Sequence, residues 1–162
     1  MIAGAVALAL REDLLDPMPF CATLAEWTRA FDAALAEALE RMPRWIALPP
    51  DKAVLHITRV GLPADYTDEW QGISPFVTGS VLWSVYAFLR TPDDYWEALC
   101  TAIAVGGDVY TTAAMTGAIS GAHVGLDSIP KHLAQHVHDQ DTWGYDNLVA
   151  LASTCYAICM RT

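Results

Sequence analysis

The sequence predicts an all-α protein, and three observations carry that reading. Apolar residues recur at three- and four-residue steps in nearly every segment. Gly and Pro stand as isolated punctuation between those segments rather than in tracts. No stretch reads as a strand except, weakly, residues 55–60. With 162 residues and 54% hydrophobic content the chain can bury one core, so residues 1–162 are read as a single all-helical domain, a compact orthogonal bundle.

The elements follow in order. Residues 2–11 form a short apolar helix that begins without a capping residue, and Pro17 and Pro19 break the chain after it. Residues 21–42 give the clearest amphipathic pattern, with Leu24, Trp27, Phe31, Leu35 and Leu39 along one stripe. Pro43 and Pro49-Pro50 end that region, and Asp51 is placed to cap a helix reaching about Thr58. Residues 61–75, GLPADYTDEWQGISP, are polar, turn-rich and aromatic, which marks a loop, and loops of this length in a compact domain are often functional. Helical pattern resumes over residues 76–90, with Val77, Val81, Val85 and Leu89 on one face. Thr91 and Pro92 read as the N-cap and first position of a helix running to about Val105. Gly106-Gly107 breaks it, and another helix follows. Ser128-Ile129-Pro130 opens a short helix through Val137, and Trp143-Gly144-Tyr145 leads into the last one.

Charge narrows the function classes. Nine basic against 19 acidic residues leave a formal charge of −10, which repels a phosphate backbone and argues against a nucleic-acid partner. The apolar N-terminal run lacks a basic leader and is too short to span a bilayer, so no membrane partner is expected. Cys21, Cys100, Cys155 and Cys159 show no CxxC pairing, consistent with reduced thiols and a cytoplasmic location.

The chemistry concentrates in GGDVYTT, residues 106–112. Gly106 and Gly107 permit positive φ and close approach of a ligand to the backbone. Asp108 falls at the N-cap of the next helix, where its carboxylate either accepts free N–H groups or faces a hard cation. Thr111, three residues on, offers a neutral oxygen to the same side. Such oxygen-only donors suit Mg²⁺ or Ca²⁺ rather than zinc. Beyond them Ala113, Gly117, Gly121 and Gly125 recur every four residues, which predicts a central helix packed closely by its neighbours.

The stretch GGDVYTTAAMTGAISGAHVGLDSIP resembles the carboxy-terminal signature of the ADP-ribosylglycohydrolase (dinitrogenase-reductase-activating-glycohydrolase) family. AGAVALAL at residues 3–10, ISPFVTGSVLWSVYAFL at 73–89 and WGYDNLVALA at 143–152 extend the resemblance collinearly. It implies an all-helical fold with a two-Mg²⁺ centre that hydrolyses the glycosidic bond between ADP-ribose and its acceptor. In the family's pattern, Gly-Gly-Asp-x-Asp followed by Thr or Ser, Asp108 matches the first metal ligand and Thr111 the hydroxyl ligand. Tyr110 replaces the second aspartate, and a neutral phenol does not hold a divalent cation at neutral pH. The resemblance also implies an ADP-ribose-type ligand approaching Gly106, Gly107 and an aromatic near Phe76.

Family members are about twice this length, and their amino-terminal Thr/Ser-Asp-Asp metal motif has no counterpart here. The paired Asp93-Asp94 reads as a helix-start acidic pair. The expectation is thus a carboxy-terminal half, truncated, with weak or absent Mg²⁺ binding and no activity alone, since a two-metal hydrolase needs both carboxylate sets. The alternative is a non-catalytic helical interaction module that homodimerises or binds a partner chain across its uncovered apolar faces.

Other constellations carry less. His132, His136 and His138 read as a partly exposed histidine-rich turn, with a metal site as the sharper alternative. His123 reads as a packed or hydrogen-bonded histidine. Asp65, Asp68, Glu69 and Trp70 are placed to line a cleft mouth. Tyr66, Trp70 and Phe76 can stack on a base or pin the loop to the core.

Overall fold

A computed structural model describes residues 1–11, 15–63, 65–67, 70–140 and 142–159. They form two compact units, residues 1–128 and 129–162. The fold class is all-α.

The first unit opens with α1 (Ile2–Ala9) and α2 (Pro17–Thr28). Pro17 and Pro19 do not break the chain. They lie in the first turn of α2, where a missing N–H costs nothing, and the Asp16 carboxylate accepts from the Met18 N–H at 2.9 Å. The amphipathic stretch 21–42 is not one helix. α2 ends as the Thr28 hydroxyl turns back to the Leu24 carbonyl at 2.8 Å. α3 (Ala33–Ile46) then starts at Asp32, whose carboxylate accepts from the Leu35 N–H. Phe31, expected in the apolar stripe, sits at the turn and is 92% exposed. Pro43 is tolerated inside α3.

α4 (Pro50–Ile57) begins with Pro49 at the cap position, and Asp51 lies in its first turn. α5 (Val77–Arg90) is the core of the unit. Every residue from Thr78 to Leu89 is buried, whereas Val77, expected on the apolar face, is exposed. Its C-terminal end ties down the α3–α4 connection. Tyr86 donates its hydroxyl to the Leu48 carbonyl at 2.8 Å, and the Arg90 guanidinium reaches the Ile46 and Leu48 carbonyls. Burial raises the Tyr86 phenol above its ordinary pKa, against the opposing pull of the Arg90 charge. α6 (Tyr95–Ile103) is capped by Asp94, which accepts from the Glu97 N–H, and not by Thr91. Thr91 and Pro92 lie in the preceding turn.

α7 (Val109–Val124) packs against α1, α5 and α6, the central position expected of it. Gly117 admits α6: a Cβ there would lie 3.2 Å from the Tyr95 hydroxyl and 3.4 Å from Leu99. The fully buried face, however, is Thr112, Thr116, Ile119 and Ser120. Thr112 donates to the Ala102 carbonyl and Thr116 to the Ser84 carbonyl, both at 3.3 Å. Ser84 donates to the Ser80 carbonyl at 2.8 Å. These hydroxyls enter the core because nearby helix carbonyls accept from them. Cys21 lies in the same core, and burial pushes its thiol up to about 12, which keeps it protonated and unreactive. Gly125, at φ 78°, ends α7, and a 3₁₀ turn covers Leu126–Ser128.

The second unit holds α8 (Lys131–Ala134), two short strands and α9 (Tyr145–Cys159). The strands β1 (His138–Asp139) and β2 (Trp143–Gly144) pair antiparallel, His138 opposite Gly144. Sequence periodicity misses them because each has only two residues. The weak strand candidate at residues 55–60 is instead the end of α4 and a turn.

Candidate functional site

The GGD loop is built by contacts from another part of the chain. Ile73 forms an isolated parallel bridge with Gly107. Its N–H donates to the Gly106 carbonyl at 3.1 Å, and its carbonyl accepts from the Asp108 N–H at 2.7 Å. Two glycines make this approach possible. A Cβ on Gly107 (φ 88°) would overlap the Ile73 backbone, and one on Gly72 (φ 85°) would overlap the Val105 carbonyl and Gly106. Gly106 also has positive φ, but open space lies where its Cβ would be. The sequence does not reveal this bridge. Its one signal is Ile73, a lone apolar residue in a polar loop, which is 1% exposed.

Asp108 is the N-cap of α7 as expected, with its Oδ1 accepting from the Thr111 N–H at 3.4 Å. The carboxylate is partly exposed and sits at the positive end of a 16-residue helix. Thr111 is exposed beside it. Tyr110 is 89% exposed, so its phenol lies in solvent and is not packed over the loop. The donor set of the loop is therefore one carboxylate and one hydroxyl. Among the described residues no group of three or more His, Cys, Asp or Glu side chains is close enough to hold a metal ion.

Described residues of loop 61–75 line a cavity of about 430 Å³. Asp65, Tyr66, Trp70, Gly72 and Ser74 line it together with Arg59. Asp68 and Glu69 lie outside the described residues. Phe76 is partly buried at the start of α5, and its ring would lie 3.6 Å from a Cβ on Gly61. It thus lies against the turn that opens the loop.

A sequence profile of the ADP-ribosylglycohydrolase family matches residues 1–161. The chain belongs to that family. It is similar to the human ADP-ribosylhydrolase ARH3, with 32% identity over 101 residues, covering 56% of this chain and 26% of the human protein. The matched part thus spans about a quarter of that relative's length. No solved structure gives a significant match.

The remaining candidates of this family member separate clearly. Asp94 caps α6, and its neighbour Asp93 extends into solvent with Oδ1 3.4 Å from the Nε2 of His123. His123 is nearly buried, makes an edge contact with Phe88, and has Nδ1 3.4 Å from the Ala9 carbonyl. It is a packed histidine. His132, His136 and His138 are exposed, and the His136 Nδ1 lies 2.7 Å from the His132 carbonyl. Among the described residues no helix is long and apolar enough to cross a membrane.

Proposed function

We propose that this chain keeps the ADP-ribosylglycohydrolase scaffold but has lost the two-metal centre from its GGD loop, and does not cleave ADP-ribosyl glycosidic bonds alone. The observation that carries this is Tyr110. It stands where the family pattern has its second carboxylate, and it is 89% exposed with nothing charged in its place. Asp108 and Thr111 remain as the loop's oxygens for Mg²⁺, and the Asp108 carboxylate also serves as a helix cap. One carboxylate and one hydroxyl do not fit a two-metal centre, so no catalytic step is assigned through it. Gly106, Gly107 and Phe76 would border the approach of an ADP-ribose-type ligand, which this reading leaves with weak affinity.

The test is calorimetric titration of Mg²⁺ into wild type and Tyr110→Asp. Because Tyr110 is so exposed, the replacement sacrifices no packing, and an acid in the first turn of α7 suits the helix dipole. Wild type is expected to show no saturable Mg²⁺ binding and Tyr110→Asp to recover it. Tight Mg²⁺ binding by wild type, or release of ADP-ribose from an ADP-ribosylated protein, would overturn the proposal.

A second reading is a helical interaction module that pairs with its own copy or a partner chain. It is supported by large apolar side chains left in solvent around α2, namely Met18 at 64% and Phe31 at 92% exposure. Sedimentation at micromolar concentration should then show a dimer that Phe31→Ser weakens. A monomer at all concentrations, with no partner recovered, would remove this reading.

A further inference from the structure

The groove between α3 and α4 runs against the character of the chain. Residues 41–60 contain Arg41, Arg44, Lys52 and Arg59 against the single acid Asp51, a local excess of three positive charges in a chain of net −10. The groove encloses about 380 Å³, within the roughly 300–1,000 Å³ usual for small-molecule sites. Arg41 of α3 and Arg59, which follows α4, both line it.

Its other lining is aromatic. Trp45 and His56 stack with ring planes 6° apart and centroids 5.9 Å apart. Trp45 is partly packed on the core, and His56 is exposed, so the imidazole presents a flat ring to the groove mouth. The two arginines differ in availability. Arg41 is held at 3.2 Å by Glu37, which also lines the groove, whereas Arg59 makes no salt bridge among the described residues, although Asp65 lines the neighbouring cavity with it. A planar guanidinium beside a flat ring stack is suited to an oxyanion carried on an aromatic ring.

We propose that this groove binds a phosphorylated compound with a flat ring, of mononucleotide size, with Arg59 holding the phosphate and His56 extending the Trp45 stack onto the ring. The site lies on α3, α4 and the turn after it, and Arg59 also lines the neighbouring 430 Å³ cavity.

AMP is the probe, titrated calorimetrically beside adenosine and inorganic phosphate. Saturable binding of AMP is expected, with both fragments much weaker because each uses only half of the groove. Arg59→Gln should weaken AMP about tenfold or more, the scale of a hydrogen bond to a charged group. His56→Ala should weaken it by a smaller factor. Both residues are exposed, so neither change threatens folding. Arg29→Gln removes the same charge on α3's other neighbour, where Arg29 pairs with Glu40, and should leave AMP affinity within about twofold. The proposal is overturned if AMP does not saturate at low-millimolar concentration. It is equally overturned if either fragment binds as tightly as AMP, or if Arg29→Gln and Arg59→Gln weaken it equally.

Discussion

Gly107→Ala should melt about 10 °C below wild type, whereas Gly106→Ala should lose only about a third to a half of that. The contrast isolates one cause. Both glycines have positive φ, which costs an alanine about 1–2 kcal/mol. Only at Gly107 would the new methyl overlap the Ile73 backbone, since Gly106 faces open space. Relieving that overlap separates the bridge and loses the Ile73-to-Gly106 and Asp108-to-Ile73 hydrogen bonds, at about 1 kcal/mol each. The total of roughly 3–4 kcal/mol corresponds to the stated shift for a chain of this size. Thermal melts followed by circular dichroism decide the matter. Equal melting temperatures for the two variants would mean that the bridge contributes nothing to stability.

Trp83→Ala should cost about 3–5 kcal/mol in urea unfolding, the range for removing a fully buried large aromatic. Trp83 is 0% exposed at the middle of α5 and stacks on Tyr86 with centroids 4.8 Å apart. Its indole N–H donates to the Ala102 carbonyl at 2.9 Å, tying α5 to α6. Trp83→Phe separates packing from hydrogen bonding. It keeps most of the ring volume, and the Ala102 carbonyl still accepts from the Thr112 hydroxyl. A cost of about 1–2 kcal/mol is expected for it. A Phe variant as unstable as the Ala variant would place the stabilisation in the indole N–H rather than in the packing.

Helix content and the GGD loop were legible in the sequence because they rest on local signals. Asp108 follows a Gly-Gly pair and precedes helical pattern, and it caps α7. What was not legible is where helices turn without Gly or Pro. Residues 21–42 keep a continuous apolar period through Thr28 and Asp32, so periodicity alone joins α2 to α3. Only the competing side-chain bonds of Thr28 and Asp32 reveal the break. The same limit applies at Thr91, where a good cap sequence loses to Asp94 three residues later. The partnership of Ile73 with Gly107 is a contact across 34 positions, which no local pattern encodes. The sequence places Tyr110 in the first turn after Asp108 but does not show that its ring faces solvent. A ring packed over Asp108 and a ring in solvent have the same sequence.

The Ile73–Gly107 bridge makes two segments mechanically one. Gly72 and Ser74, on either side of Ile73, belong to the wall of the 430 Å³ cavity, while Gly107 leads directly into Asp108. The approach is close enough that neither Gly72 nor Gly107 has room for a Cβ. Two backbone hydrogen bonds, Ile73 N–H to the Gly106 carbonyl and Asp108 N–H to the Ile73 carbonyl, thus join the cavity wall to the start of α7. A loop that lines the cavity and a loop that caps a helix share their backbone bonding through a single pair of residues.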